Sequence, residues 1–506
     1  MAIKRFAAID VGSFALEMGI YEIGPRAGIR QVNYVRHVIA LGKDTYNTGK
    51  VSYELVEEML TVLEDFTDIM KEYKVDAYSA YATSAMREAG NSQIILDQIK
   101  VRTGIEVKII SNSEQRFISY KAIAAKDDQF DKIIKGGTAI VDVSFGSMQI
   151  TLYDKGNIIS TQNLSLGVLR IRETIAKIST AREERTAILG ELVDNELETY
   201  SKLYLKDREV KCMVGIGETI LLLFKRLSAI SGADSKREFI TREDFMRAYD
   251  YVLSKTEDEL GEALGVDAEF AGVFGPCVLI FSRVFELLGA ESIWLPGTLL
   301  VDGIAAEYAE DNGLIRLKHN FQEDILEAAR NIAKRYRGTN QHMINVEQNA
   351  MAIFDATQKF HGLDKRDRLL LRISAIMHNC GKFVSMRAPA ACTYDIISAS
   401  EIIGLSHEER ITVARIVRNL EEFSYDEMSM QVAKLTAMLQ LANSLDRSHK
   451  QKVRDYKFKM NDENELMIIT GYPGDMTLEY ISFEQHRKFF EEIFGIRPLL
   501  IQKKGI

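Results

Sequence analysis

Two stretches carry residue types suited to phosphate chemistry. One is Ala8-Ile9-Asp10-Val11-Gly12-Ser13; the other, about 130 residues later, is Ile140-Val141-Asp142-Val143-Ser144-Phe145-Gly146-Ser147. In each, an apolar run ends in Asp and gives way to a turn containing a Gly-Ser pair. Such a turn gathers backbone N–H groups and a hydroxyl into a concavity for an anion. The Asp ahead of it can hold a divalent cation beside a bound phosphate. Asp10 and Asp142 are therefore the candidate metal-side acids, and Gly12, Ser13, Gly146 and Ser147 the candidate phosphate cradle. One such turn also describes an ordinary buried hairpin. Two copies point to two similar lobes facing each other across a cleft.

Each turn needs strands to hold it. Around the first, 5–10, 16–22 and 30–39 read as strands, with Gly24-Pro25 and Ala27-Gly28 turning between the second and third. A helix follows from Ser52, with Leu55, Met59, Phe66 and Met70 on one face. A strand at 77–82, a helix at 94–101 and a strand at 105–110 complete an α/β lobe. Residues 136–163 repeat the three-strand opening, and a strand is expected at 212–216 and another at 292–295. From about 320 the pattern is helical; the last fifty residues return to α/β, with a turn at Asp462-Glu463-Asn464. The expected domains are 1–125, 126–312, 320–452 and 453–506.

With 46% hydrophobic and 27% charged residues, the chain reads as globular and soluble. Its net charge of −9 argues against a general nucleic-acid or membrane binder, which needs a basic surface, but leaves room for a polyanion in a local basic groove. Cys212, Cys277, Cys380 and Cys392 form no CxxC pair and read as reduced thiols of a cytoplasmic protein. The first residues run directly into a strand, so no signal peptide is expected, and no apolar run is expected to reach the length of a membrane span.

The chain resembles the exopolyphosphatase / guanosine-pentaphosphate phosphohydrolase (Ppx/GppA) family of the actin-like superfamily. Ala8 to Ser13, Ala82-Thr83-Ser84-Ala85-Met86-Arg87-Glu88-Ala89 with Asn91, Ile110 to Glu114, and Val141-Asp142 through Ser147 carry the likeness. Leu164 to Arg170 supports it. The resemblance implies two actin-like (ribonuclease H-like) lobes around a cleft, an all-α HD-like domain marked by His378, Gly381-Lys382 and Leu441 to Arg447, and a small C-terminal α/β domain. It implies metal-assisted attack of water, with Mg²⁺, on a terminal phosphoanhydride of polyphosphate or guanosine pentaphosphate. By motif position Glu114 would orient or deprotonate that water, and Arg87 and Arg170 would neutralise phosphate charge. Ser111-x-x-Glu114 also reads as a helix capping box. A homodimer follows by the same family analogy.

The chain departs from the family pattern at clustered positions. Phe14-Ala15 follows the first Gly-Ser, and Ser144-Phe145 replaces two glycines of the second turn. A Phe there lacks glycine's freedom at positive φ. Gln149 replaces a Glu, and Gln115 replaces the second acid of a pair. An HD metal site needs His, His-Asp and Asp; here they are His342, His378-Asn379 and Asp446, so a packed helical scaffold is expected instead. These departures leave two readings: a phosphoanhydride hydrolase, or a weakened relative that binds polyphosphate or a guanosine polyphosphate as a sensor. ATP-dependent phosphotransfer is a third, disfavoured by the poor glycine turn at Gly215-Ile216-Gly217-Glu218.

Overall fold

A computed structural model describes the chain except residues 1–2, 26–27, 127–128, 178–181, 207, 232–238, 339, 422–428, 453–456, 462–463 and 504–506. Ala27 and Asp462-Glu463 of the expected turns therefore lie outside the described residues. The chain divides into two compact units, Met1–Asp324 and Ile325–Ile506.

The first unit holds two sheets built alike. In one, β1 (Lys4–Val11), β2 (Ala15–Gly24) and β3 (Gly28–Val38) form an antiparallel meander, and β4 (Ala77–Ala82) and β5 (Val107–Ile109) add to β1 in parallel, in the order β3-β2-β1-β4-β5. In the other, β6 (Thr138–Val143), β7 (Met148–Asp154) and β8 (Asn157–Leu164) repeat the meander. There β9 (Cys212–Ile216) runs parallel to β6, and β10 (Phe239–Thr241) and β11 (Ser292–Trp294) complete the order β10-β11-β9-β6-β7-β8.

The period of two along β1 explains how the first sheet is covered on both faces. Ala7, Ile9 and Val11 pack with Met59, Leu63 and Phe66 of helix Tyr53–Glu72 and with Ile95 and Ile99 of helix Ser92–Thr103. Phe6 and Ala8 point the other way, to Ile118 of helix Asn112–Lys126 and to Val301, Ile304 and Ala305 of helix Leu300–Asp311. These last two helices cross closely, because a Cβ at Gly303 would collide with the Ile118 carbonyl.

The second sheet packs on helix Phe274–Leu288 through Val141, Val143, Ile150 and Leu152. The stretch Ala268–Leu288 is 21 residues long and apolar enough to cross a membrane by length and composition, which corrects the expectation that no run reaches that length. Of its apolar window 67% is buried inside the protein, with Phe274, Cys277, Val278, Ile280 and Phe281 in the core, the environment of a soluble core helix.

The second unit combines helices Gln341–Ala356, Lys365–Met377, His407–Arg418 and Met430–Ser444 with a three-stranded sheet of β12 (Lys457–Met460), β13 (Glu465–Thr470) and β14 (Arg497–Gln502). Helix Thr477–Phe494 ties the two parts together, Ser482 bonding Ser444 through their hydroxyls at 3.3 Å.

Candidate active site

Both turns close in the same way. The Gly12 amide donates to the Ala15 carbonyl at 3.0 Å, and the Ser144 amide donates to the Ser147 carbonyl at 3.0 Å. The next helix then satisfies the turn's carbonyls. Gly42 donates to Ser13 in the first lobe, and Leu169 and Arg170 donate to Phe145 in the second. Asp10 and Asp142 thus occupy equivalent places, each at a strand end ahead of the turn.

The equivalence extends across three strands. On β1-β2-β3 the register aligns Asp10, Glu17 and Arg36 in one row. On β6-β7-β8 it aligns Asp142, Gln149 and Asn163. The two rows lead into the opposing walls of one pocket of about 680 Å³ including its open mouth. Asp10, Gly12, Ser13, Phe14, Glu17, Thr83, Ser84, Gln115, Asp142, Ser144, Phe145 and Glu218 are among its lining residues.

Of the expected site residues, Asp10, Gly12, Ser13 and Asp142 line this pocket. Glu114 does not. Its carboxylate accepts the Ser111 amide at 2.8 Å while the Ser111 hydroxyl accepts the Glu114 amide at 3.1 Å, which is the reciprocal capping box. Its other oxygen pairs with Lys108 at 2.8 Å. Gln115, one residue on, faces the pocket instead.

Arg87 donates to the Ile110 carbonyl and to Asn112, so it braces the start of the same helix. Arg170 joins the lobes. It donates to the Gly146 carbonyl at 2.7 Å, grips Glu88 through both carboxylate oxygens at 2.6 and 2.7 Å, and lies over the Tyr46 ring at 4.2 Å. Gly146 is needed for space: a Cβ there would collide with the Tyr46 and Ser84 hydroxyls. Phe145 is accommodated without positive φ, so the turn does not call on the freedom that glycine would have there. It stacks on Phe14 of the opposing turn with ring centroids 4.6 Å apart, and Phe270 meets both rings edge-on. Ser147 lies just off the lining, where its hydroxyl accepts from Arg116 at 3.3 Å.

The electrostatics of the two rows differ. Burial, with Glu218 nearby, pushes the Asp10 carboxyl up to about 7. Burial also holds Glu17 well above the usual carboxylate range, reinforced by Glu218 and Asp10. Arg36, 2.5 Å from Glu218 and 3.7 Å from Glu17, is the cation set among them. Asp142 is instead ion-paired with Arg116 at 3.9 Å and accepts the Ser144 hydroxyl at 3.0 Å. Glu17, Arg36 and Arg116 went unrecognised in the sequence. The repeat held a signal for Glu17, which follows Asp10 by the same interval as Gln149 follows Asp142.

Among the described residues no group of three His, Cys, Asp or Glu side chains is arranged to hold a metal ion. The first wall nevertheless fits a divalent cation that takes most of its ligands from phosphate and water. Asp10 Oδ1 is buried with no hydrogen-bond partner, and Glu218 crowds it. The second wall does not fit one, because a guanidinium already stands beside Asp142.

In the second unit, His342 bonds Asp446 at 2.8 Å, meets His378 at 3.4 Å and stacks on His449 with centroids 3.6 Å apart. His449 was not anticipated. The cluster joins helix Gln341–Ala356 to the end of helix Lys365–Met377 and to the segment that follows helix Met430–Ser444.

A duplicated meander-plus-parallel sheet, with a turn from each copy on one pocket, defines the actin-like class of two-lobed proteins. Within that class the chain belongs to the Ppx/GppA phosphatase family, which matches residues 20–310, and its domain III matches residues 326–484. It is 22% identical over 419 residues to a guanosine-5'-triphosphate,3'-diphosphate pyrophosphatase of Photobacterium profundum, covering 82% of this chain and 80% of the relative. A pyrophosphatase of the same name from Aeromonas hydrophila is 22% identical over 446 residues, covering 85% and 83%. The Ppx/GppA family member of Aquifex aeolicus shares the fold, with a TM-score of 0.52 at 22% identity over 63% of this chain and 100% of that one. So does an exopolyphosphatase of Cytophaga hutchinsonii, with a TM-score of 0.53 at 19% identity over 62% and 99%.

Proposed function

We propose that the chain binds inorganic polyphosphate or a guanosine polyphosphate between its two turns and hydrolyses the terminal phosphoanhydride slowly. One observation carries this reading: equivalent turns from two copies of the same strand row line a single pocket, the arrangement needed to grip a phosphate from both sides. Phosphoryl transfer asks little covalent chemistry of a protein; positioning and charge neutralisation supply most of the rate. A divalent cation, Mg²⁺ by family analogy, would be held by Asp10, whose buried Oδ1 has no hydrogen-bond partner, and would neutralise charge on the phosphoryl oxygens. The names of the relatives favour a guanosine polyphosphate as the ligand.

Slow turnover follows from Gln115. Its amide can orient a water but cannot take a proton, and Glu114 is committed to its own helix end. Release of phosphate from long-chain polyphosphate and from guanosine pentaphosphate, with Mg²⁺ present, tests the reading. Slow release from one of them is expected. Failure to bind either ligand would sink it. Tight binding with no release selects the sensor reading, which Gln115 and the Phe14–Phe145 stack favour.

A further inference from the structure

The two walls of the pocket have opposite electrostatic character. We infer that the second wall is a phosphate receptor that works without a metal ion, because Arg116 supplies the positive charge a cation would bring; this rests on the phosphate-binding reading of the same pocket. The first row carries Asp10 and Glu17, with Glu218 beside them, against the single guanidinium of Arg36. The second carries one carboxylate, Asp142, and two neutral amides, Gln149 and Asn163. Helix Asn112–Lys126 delivers Arg116 into that row from the side.

Arg116 is 1% exposed. One Nη donates to Asn163 at 3.0 Å and to the Ser147 hydroxyl at 3.3 Å, and the other donates to the Asn112 carbonyl at 3.2 Å. Its Nε has no hydrogen-bond partner and stands 3.9 Å from Asp142 Oδ2, a Coulombic contact rather than a hydrogen bond. A buried guanidinium normally matches its carboxylate closely, since desolvation of both charges must be offset. Here the match is loose and one donor is idle, directly behind the turn whose hydroxyl it already touches. A divalent ion at Asp142 would sit beside a like charge. A phosphate oxygen at Ser144 and Phe145 on the lining would meet the turn, with the buried guanidinium supplying positive charge from behind it rather than by direct contact.

Calorimetric titration of the full chain with short-chain polyphosphate, in EDTA and in Mg²⁺, tests this. Wild type should bind in EDTA with an affinity within about tenfold of that in Mg²⁺. Asp142→Asn should bind as well or more tightly in EDTA, because the guanidinium loses its counter-ion. Arg116→Met should weaken binding in EDTA by about tenfold or more. Since removing a buried guanidinium can unfold the chain, Asp142→Asn is the deciding variant, with thermal melts of both. Wild-type binding only in Mg²⁺, or its abolition by Asp142→Asn, would overturn the inference and leave the polyphosphate reading standing. Absence of binding in both buffers would overturn both.

Discussion

Glu114 and Gln115 are neighbours on one helical turn, about 100° apart around its axis, and that rotation decides which of them meets the pocket. The carboxylate has gone to the capping box and to Lys108; the amide has gone to the site. Exchanging these roles should be informative. Glu114→Ala should cost about 1 kcal/mol of stability through the lost cap, while phosphate release should change less than about twofold. Gln115→Glu should raise release about tenfold or more, since it returns a proton acceptor to the lining. Parallel denaturation curves and phosphate assays separate the two effects. If Gln115→Glu leaves the rate unchanged, the missing carboxylate is not what limits turnover.

At the scale of elements, the turns owe their form to contact with each other. Gly146 is not in the left-handed region; it is small because Tyr46 and Ser84 of the other lobe occupy the space a side chain would need. Gly146→Ala should therefore destabilise by overpacking, about 1 to 3 kcal/mol in urea denaturation, although its backbone conformation suits alanine. A neutral result would mean that the lobes part easily at this point. The same elements show what the sequence discloses. Apolar runs ending in Asp are local, so the duplicated strand–turn–strand was legible, as was the helix with Met59, Phe66 and Met70 on its buried face. Glu17 and Arg36 reach the site only through antiparallel register, which pairs Asp10 with Glu17 and Glu17 with Arg36. Arg116 reaches Asp142 from a distant helix. Helix Leu41–Thr48, whose Gly42 amide caps the first turn, is too short to show an amphipathic period. Local pattern fixes strands and turns, whereas the charge on each wall depends on tertiary pairing.

At the scale of the whole molecule, the two units should respond to pH with opposite signs. In the first, buried carboxyls sit high: Asp10 at about 7, Glu17 well above its usual range, and Glu307 raised by burial. A folded chain keeps these protons after the unfolded chain has lost them, near pH 4. Stability of the metal-free unit therefore falls as pH rises from about 4 to 7, by up to about 1.4 kcal/mol per pH unit for each such group. His319 adds the same sign. Burial lowers its affinity for a proton, but Asp324 and Asp131, 2.8 and 2.7 Å away, raise it further, so its contribution is lost as pH climbs. In the second unit burial, with the neighbouring His342, pushes His378 down to about 3 and His449 down to about 4. Here the unfolded chain takes up protons below about 6.5 and the folded chain does not. Through these histidines, stability of this unit falls as pH drops from about 6.5 towards 4. Amide exchange in EDTA, followed across pH and corrected for intrinsic rates, reads the units separately. Protection in helix Lys365–Met377, which leads into His378, should rise between pH 4 and 6.5, while protection in β1 and β6 should decline over the same interval. His378→Gln should flatten the first trend and leave the second intact. Parallel trends in both units would mean that the burial of these carboxyls or these histidines does not govern how the protein answers acid.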